Sequence, residues 1–114
     1  MSVALVARDL IFGSRILAAA APRIPVFRCD DPSQLPPPFG IDLVLVDWSE
    51  RQPGWATALT DWVAAAPAPH RPRVILYGPH TDLAAHAEAR AAGLGPMWAR
   101  SRILRELPSL LARA

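Results

Sequence analysis

Lysine is absent from this chain: all 12 basic residues are arginine. With the many alanines and 13 prolines, that reads as a GC-rich coding bias rather than as chemistry. Cysteine is reduced to a single residue, Cys29. This excludes an intramolecular disulfide and a cysteine metal cluster, and makes a reducing cytoplasm the expected setting. No apolar run approaches the length needed to cross a bilayer, so no membrane association is expected. The opening Met1-Ser2-Val3-Ala4-Leu5-Val6 has no basic region ahead of its apolar stretch. It reads as a buried strand and not as a signal peptide. Charge of one sign is also scarce, the formal net charge being +2. Arg90, Arg100, Arg102, Arg105 and Arg113 fall near the end, but they are spaced out and mixed with Glu88 and Glu106. A solvated surface or a protein contact is the expected reading, and nucleic acid is not expected as a partner.

Several kinds of chemistry are missing as well. The turn Ala7-Arg8-Asp9-Leu10-Ile11-Phe12-Gly13 lacks the glycines of a dinucleotide loop and the Ser/Thr-rich cradle of a flavin phosphate. Ser14 and Ser101 have no hydrolase elbow around them. His80 and His86 are six apart, the wrong spacing for one helix face, and His70 lies in a Pro-rich stretch, so no metal site is expected from them. Cys29 has no nearby base and reads as a buried or half-buried thiol.

What is present is an alternation. Val3 to Ala7, Leu43 to Val46 and Val74 to Tyr77 are short, continuous apolar runs, as expected of strands covered on both faces. Two weaker runs, Ile24-Pro25-Val26-Phe27 and Met97-Trp98-Ala99 after Pro96, carry or follow a proline and therefore belong on sheet edges. Helical stripes follow the strands: Phe12, Ile16, Leu17 and Ala20 with Asp9 as N-cap; Trp55, Leu59, Trp62 and Val63; Leu83, Ala84, Ala87 and Ala91 with Gly93 as the residue just past the end; and Leu104, Leu107 and Leu111, with Pro108 in the first turn of a short final helix. After the second strand, Asp30-Asp31-Pro32-Ser33-Gln34-Leu35 starts like a capped helix, but Pro36-Pro37-Pro38 leaves room for at most one turn. The 114 residues suit one domain spanning 1–114. The expected fold is α/β: a flavodoxin-like, doubly wound, five-stranded parallel sheet of order 2-1-3-4-5 with the second helix truncated.

In such a sheet ligands bind beyond the carboxyl ends of the strands. Arg8 and Asp9 leave the first strand, Asp47 and Trp48 the third, Gly78 the fourth, and Arg100 and Ser101 the fifth. On these residues the chain resembles a response-regulator receiver domain over nearly its whole length. Asp47, ending Asp42-Leu43-Val44-Leu45-Val46-Asp47, falls at the family's phospho-acceptor. Asp9 matches the second acid of the family's acidic pair, and Ala91-Ala92-Gly93 its alanine-glycine turn. The departures are equally specific. Arg8 replaces the first acid, Gly78 the hydroxyl residue after the fourth strand, Arg100 the lysine after the fifth and Ser101 the proline behind it.

The resemblance implies a Mg²⁺-balanced acidic site, but Asp9 and Asp47 are here offset by Arg8 and Arg100. A guanidinium in place of a carboxylate removes an oxygen ligand and adds repulsion, so no cofactor is expected and Mg²⁺ binding is doubtful. Arg100 is expected to reach Asp47, with Arg8 closing on Asp9 or Asp47. Gly78 has no hydroxyl to follow a phosphoryl group. The expected function is therefore a non-enzymatic, single-domain pseudo-receiver with Asp47 as a degenerate phospho-acceptor, acting through an unidentified protein partner. A working phosphorelay receiver and a structural or oligomerising module are the alternatives. The truncated helix is expected to leave apolar surface near Leu35 to Phe39, which makes a homodimer one candidate assembly.

Overall fold

Apolar runs alternating with helical stripes become, in the computed structural model, a parallel sheet with helices on both faces; residues 1–20 and 23–112 are described. The strands are β1 (Val3–Val6), β2 (Val26–Cys29), β3 (Leu43–Asp47) and β4 (Arg73–Tyr77), in the order β2-β1-β3-β4. The helices are α1 (Leu10–Ala20), α2 (Trp55–Ala64), α3 (Leu83–Ala91) and α4 (Arg100–Leu111). No described helix is long and apolar enough to cross a membrane.

The two faces of the sheet follow from the two-residue period of a strand. Val3, Leu5, Leu43, Leu45, Ile75 and Tyr77 pack with Phe12 and Ile16 of α1 and Ile103, Leu107 and Leu110 of α4. Ala4, Val6, Val44, Val46 and Leu76 pack with Trp55 and Leu59 of α2 and Ala85 and Ala89 of α3. Burying a large aliphatic side chain of this kind contributes about 1.5–3 kcal/mol over leaving it exposed.

Four expectations need correction. The sheet has four strands and not five: Met97-Trp98-Ala99 reduces to one parallel bridge, Tyr77 to Trp98. Pro96 has no amide to donate, and Ala99 already caps α4, so Trp98 alone pairs, donating to Leu76 O at 2.8 Å and accepting from Gly78 N at 2.9 Å. β2 begins after Pro25 rather than at Ile24, whose amide donates back to Ala20 O. Pro108 lies within α4 and not in the first turn of a shorter helix. The stripe Ile103, Leu107 and Leu110 is buried along the whole helix, and the tertiary packing outweighs the missing proline amide. Finally, α3 buries Ala85 and Ala89, while Leu83 is 78% exposed. Two alanines allow α3 to sit close on the Trp48 indole, whose N–H donates to Ala85 O at 3.0 Å.

The truncated second helix is one 3-10 turn, Pro32–Gln34, capped by the Asp31 carboxylate accepting from Ser33 N. Tryptophans of α2 hold this stretch in place: Trp55 Nε1 donates to Asp31 Oδ1 at 2.9 Å and Trp62 Nε1 to Pro36 O at 2.7 Å. Leu35 and Ile41 pack inward and Pro38 is buried, whereas Phe39 stays 64% exposed. At the end of α3, Gly93 adopts φ +71, a conformation that suits glycine at this position.

Candidate functional site

Asp47 is the last residue of β3 and is 1% exposed. Its Oδ1 accepts from Ser49 Oγ at 2.5 Å and from Ser49 N at 3.2 Å, which caps the 3-10 turn Trp48–Glu50. Arg100, the first residue of α4, brings its guanidinium to 3.7 Å from Oδ1 and donates to Ser49 Oγ at 3.1 Å. It also lies over the Phe12 ring at 5.9 Å. Asp47 Oδ2 is buried without a hydrogen-bond partner, and so is the Tyr77 hydroxyl. Tyr77 is the register partner of Asp47 on β4 and packs on Phe12 with ring centroids 5.0 Å apart.

Burial pushes the Asp47 carboxyl above its ordinary range, and the Glu50 charge adds to this. The Ser49 hydrogen bonds and Arg100 oppose the shift. Burial also raises the Tyr77 phenol, reinforced by the charge of Asp47. Both shifts have the same first cause: little solvent reaches either group.

The other rim residues divide. Asp9 caps α1, its Oδ1 accepting from Ile11 N at 2.9 Å. Arg8 is exposed and, among the described residues, forms no ion pair, so the expected closure on Asp9 or Asp47 does not occur. Trp48 turns into the opposite face of the sheet beneath α3, with Arg51 over its ring at 5.8 Å. It therefore does not line the rim. Gly78 does: a Cβ there would stand 2.9 Å from Met97 Sδ and 3.5 Å from Ser49 N. Ser101 is exposed in the first turn of α4.

Three residues at this end were not anticipated. Ser49 had a local signal, an aspartate two positions earlier at a strand end. Tyr77 had only its place at the end of an apolar run. Glu50 had none: its Oε1 accepts from Arg8 N at 2.7 Å and Asp9 N at 3.4 Å, across 42 and 41 residues. Counting Glu50 with Asp9 and Asp47 against Arg8 and Arg100 leaves the rim negative rather than neutral.

A Mg²⁺ ion of the kind the receiver resemblance implies does not fit this donor set. Asp47 is sealed, Asp9 is turned to a helix amide, and Glu50 is turned to two loop amides. No group of three or more His, Cys, Asp or Glu placed to hold a metal ion occurs among the described residues.

Comparison with protein-family models, curated proteins and solved structures found no match. The Asp47 carboxyl links β3 to α4 through Ser49 and the Arg100 guanidinium. Arg102, in the first turn of α4, is also engaged. Arg102 bonds Glu106 at 2.6 Å and lies over Trp98 at 3.6 Å; Arg113 falls outside the described residues. A separate cavity of about 700 Å³ lies beside Trp48, lined among others by Arg51, Gln52, Gly54, Glu88 and Ala92. None of Asp47, Tyr77 or Arg100 reaches it.

Proposed function

We propose that this chain is a pseudo-receiver of flavodoxin-like architecture: a non-enzymatic signalling module, cytoplasmic, that acts through protein contacts and in which Asp47 is a degenerate phospho-acceptor. The observation that carries the reading is the state of Asp47. It ends β3 in a parallel β2-β1-β3-β4 sheet, where the receiver resemblance puts the acceptor, yet it is 1% exposed. A small phosphodonor must reach a carboxylate oxygen in line. Here Oδ1 is held by Ser49 and Arg100, and Oδ2 is enclosed. Gly78, crowded by Met97, supplies no hydroxyl to follow a phosphoryl group. Homodimerisation belongs to the same proposal, because the protein presents exposed Phe27 and Phe39.

Intact-mass measurement after incubation with Mg²⁺ and a small phosphodonor tests this. The expected result is an unmodified chain. A phosphoryl adduct that disappears in Asp47→Asn would overturn the degenerate reading in favour of a working phosphorelay receiver.

A further inference from the structure

The outer edge of β2 carries the strongest unassigned feature. Backbone groups of successive strand residues point to opposite sides. Val3 N donates to Pro25 O and Ala7 N to Cys29 O, so the odd-numbered residues of this segment face β1. The N–H and C=O of Val26 and of Arg28 therefore point outward. Apart from the shortness of β2, four residues, the usual protections of an edge are missing. Pro25 lies on the β1 side of the alternation, so its missing amide does not block the edge. Arg28, the one charge on β2, has its guanidinium drawn onto Ala7 O at 2.7 Å and Asp30 Oδ1 at 2.8 Å. Phe27 is 45% exposed although its register partner Ala4 is fully buried.

We propose that β2 pairs antiparallel with β2 of a second copy of this chain, about a two-fold axis passing through Phe27. The open groups fix both occupant and register. With the axis at Phe27, Val26 faces Arg28 of the second copy and every outward group of both residues is paired. An axis at Val26 would need the Ile24 amide, which already donates to Ala20 O at 3.2 Å. An axis at Arg28 would need the Asp30 amide, which already donates to Gln34 Oε1 at 2.9 Å. Charge agrees: exposed Arg23 precedes the strand and Asp30 and Asp31 follow it, so the antiparallel arrangement sets each arginine beside the carboxylates of the other copy. Phe27 then meets Phe27 of the second copy at a non-hydrogen-bonded position, where side chains approach most closely. The pairing deepens the proposed function by naming one partner, but it rests on the edge geometry and not on the state of Asp47.

The test is sedimentation of the full chain over a range of concentrations, with site-specific cross-linking in a Cys29→Ala background. The chain should dimerise, and Phe27→Cys should form an interchain disulfide, since residues facing across an antiparallel pair lie about 4.5–5.5 Å apart. Val26→Cys and Arg28→Cys alone should not cross-link, each lying diagonal to its copy at about 7–8 Å or more. The double variant V26C/R28C should. Val26→Pro removes an outward amide without touching the β1 ladder, and should weaken association about tenfold or more. A chain that stays monomeric at its highest soluble concentration overturns the pairing. So does a dimer in which V26C cross-links and F27C does not. Phosphorylation of Asp47, which would overturn the function proposed above, has no bearing on these readouts.

Discussion

Asp47→Asn should make this domain more stable at neutral pH, the reverse of the usual effect of altering a buried, hydrogen-bonded acid. The balance can be worked from its surroundings. Enclosing an unpartnered atom at the Oδ2 position costs about 1–3 kcal/mol when it is neutral, which asparagine retains, and about 3 kcal/mol more when it is charged, which asparagine avoids. Against this stand two hydrogen bonds from Ser49 to Oδ1. Charge makes such bonds roughly twice as strong as neutral ones, and asparagine keeps the acceptor, so about 1 kcal/mol is lost there. Arg100 stands 3.7 Å away with its side chain 34% exposed, which limits that pair to about 1 kcal/mol after solvent screening. The Asp47 carboxyl is raised and not lowered, so enclosure outweighs its partners. A net gain of about 1 kcal/mol is expected for Asp47→Asn near pH 7, a rise of about 4 °C or more in Tm for a domain of this size.

The pH dependence gives the decisive sign. A carboxyl whose pKa is raised on folding binds its proton more tightly in the folded state. Its favourable contribution is fully present below the unfolded pKa, about 3.9, and is lost as pH rises through the higher folded value. The wild-type chain should therefore lose this contribution on going from about pH 4 towards pH 7, while Asp47→Asn does not. Urea melts of both proteins across that interval measure the difference directly. A variant less stable than wild type at about pH 7, or an advantage that does not shrink towards about pH 4, refutes the reasoning. Either result would mean that the carboxylate is well solvated or well paired, and would return Asp47 to the field as a working acceptor.

Arg100→Ala should cost about 1 kcal/mol through lost contacts to Asp47, Ser49 and the Phe12 ring, and less in the Asp47→Asn background; a double-mutant cycle in urea reads the difference. Gly78→Thr should destabilise by about 1–3 kcal/mol because its Cβ would meet Met97 Sδ at 2.9 Å, and thermal melts of the variant against wild type check this. Trp55→Phe keeps an aromatic ring but removes the indole donor to Asp31 and part of the buried ring area, so it should cost about 1.5–3 kcal/mol and increase proteolytic nicking between Ser33 and Phe39, read by limited digestion and mass spectrometry.

The central strands β1, β3 and β4 were legible because each is a short, largely buried apolar run, a property local to four or five residues. The proline-marked runs were legible only as edges, and for different reasons. Pro25 delays β2 by shifting its start, whereas Pro96 and the cap at Ala99 leave Trp98 alone to pair. On α3, helical periodicity selected Leu83, Ala84, Ala87 and Ala91 by size and spacing. The helix instead turns its smallest buried pair, Ala85 and Ala89, to the Trp48 side, because closeness to an indole matters there more than apolar area. The site shows the same division. That Asp47 ends a buried strand is local information, and the sequence carries it. That Asp47 is shut away is not local. Asp47 is shut away beside Ser49, Tyr77 and Arg100, and the arginine acts on Ser49 across 51 residues. A pattern can locate an acid at the edge of a sheet, but whether that acid meets solvent depends on which helix folds down over it.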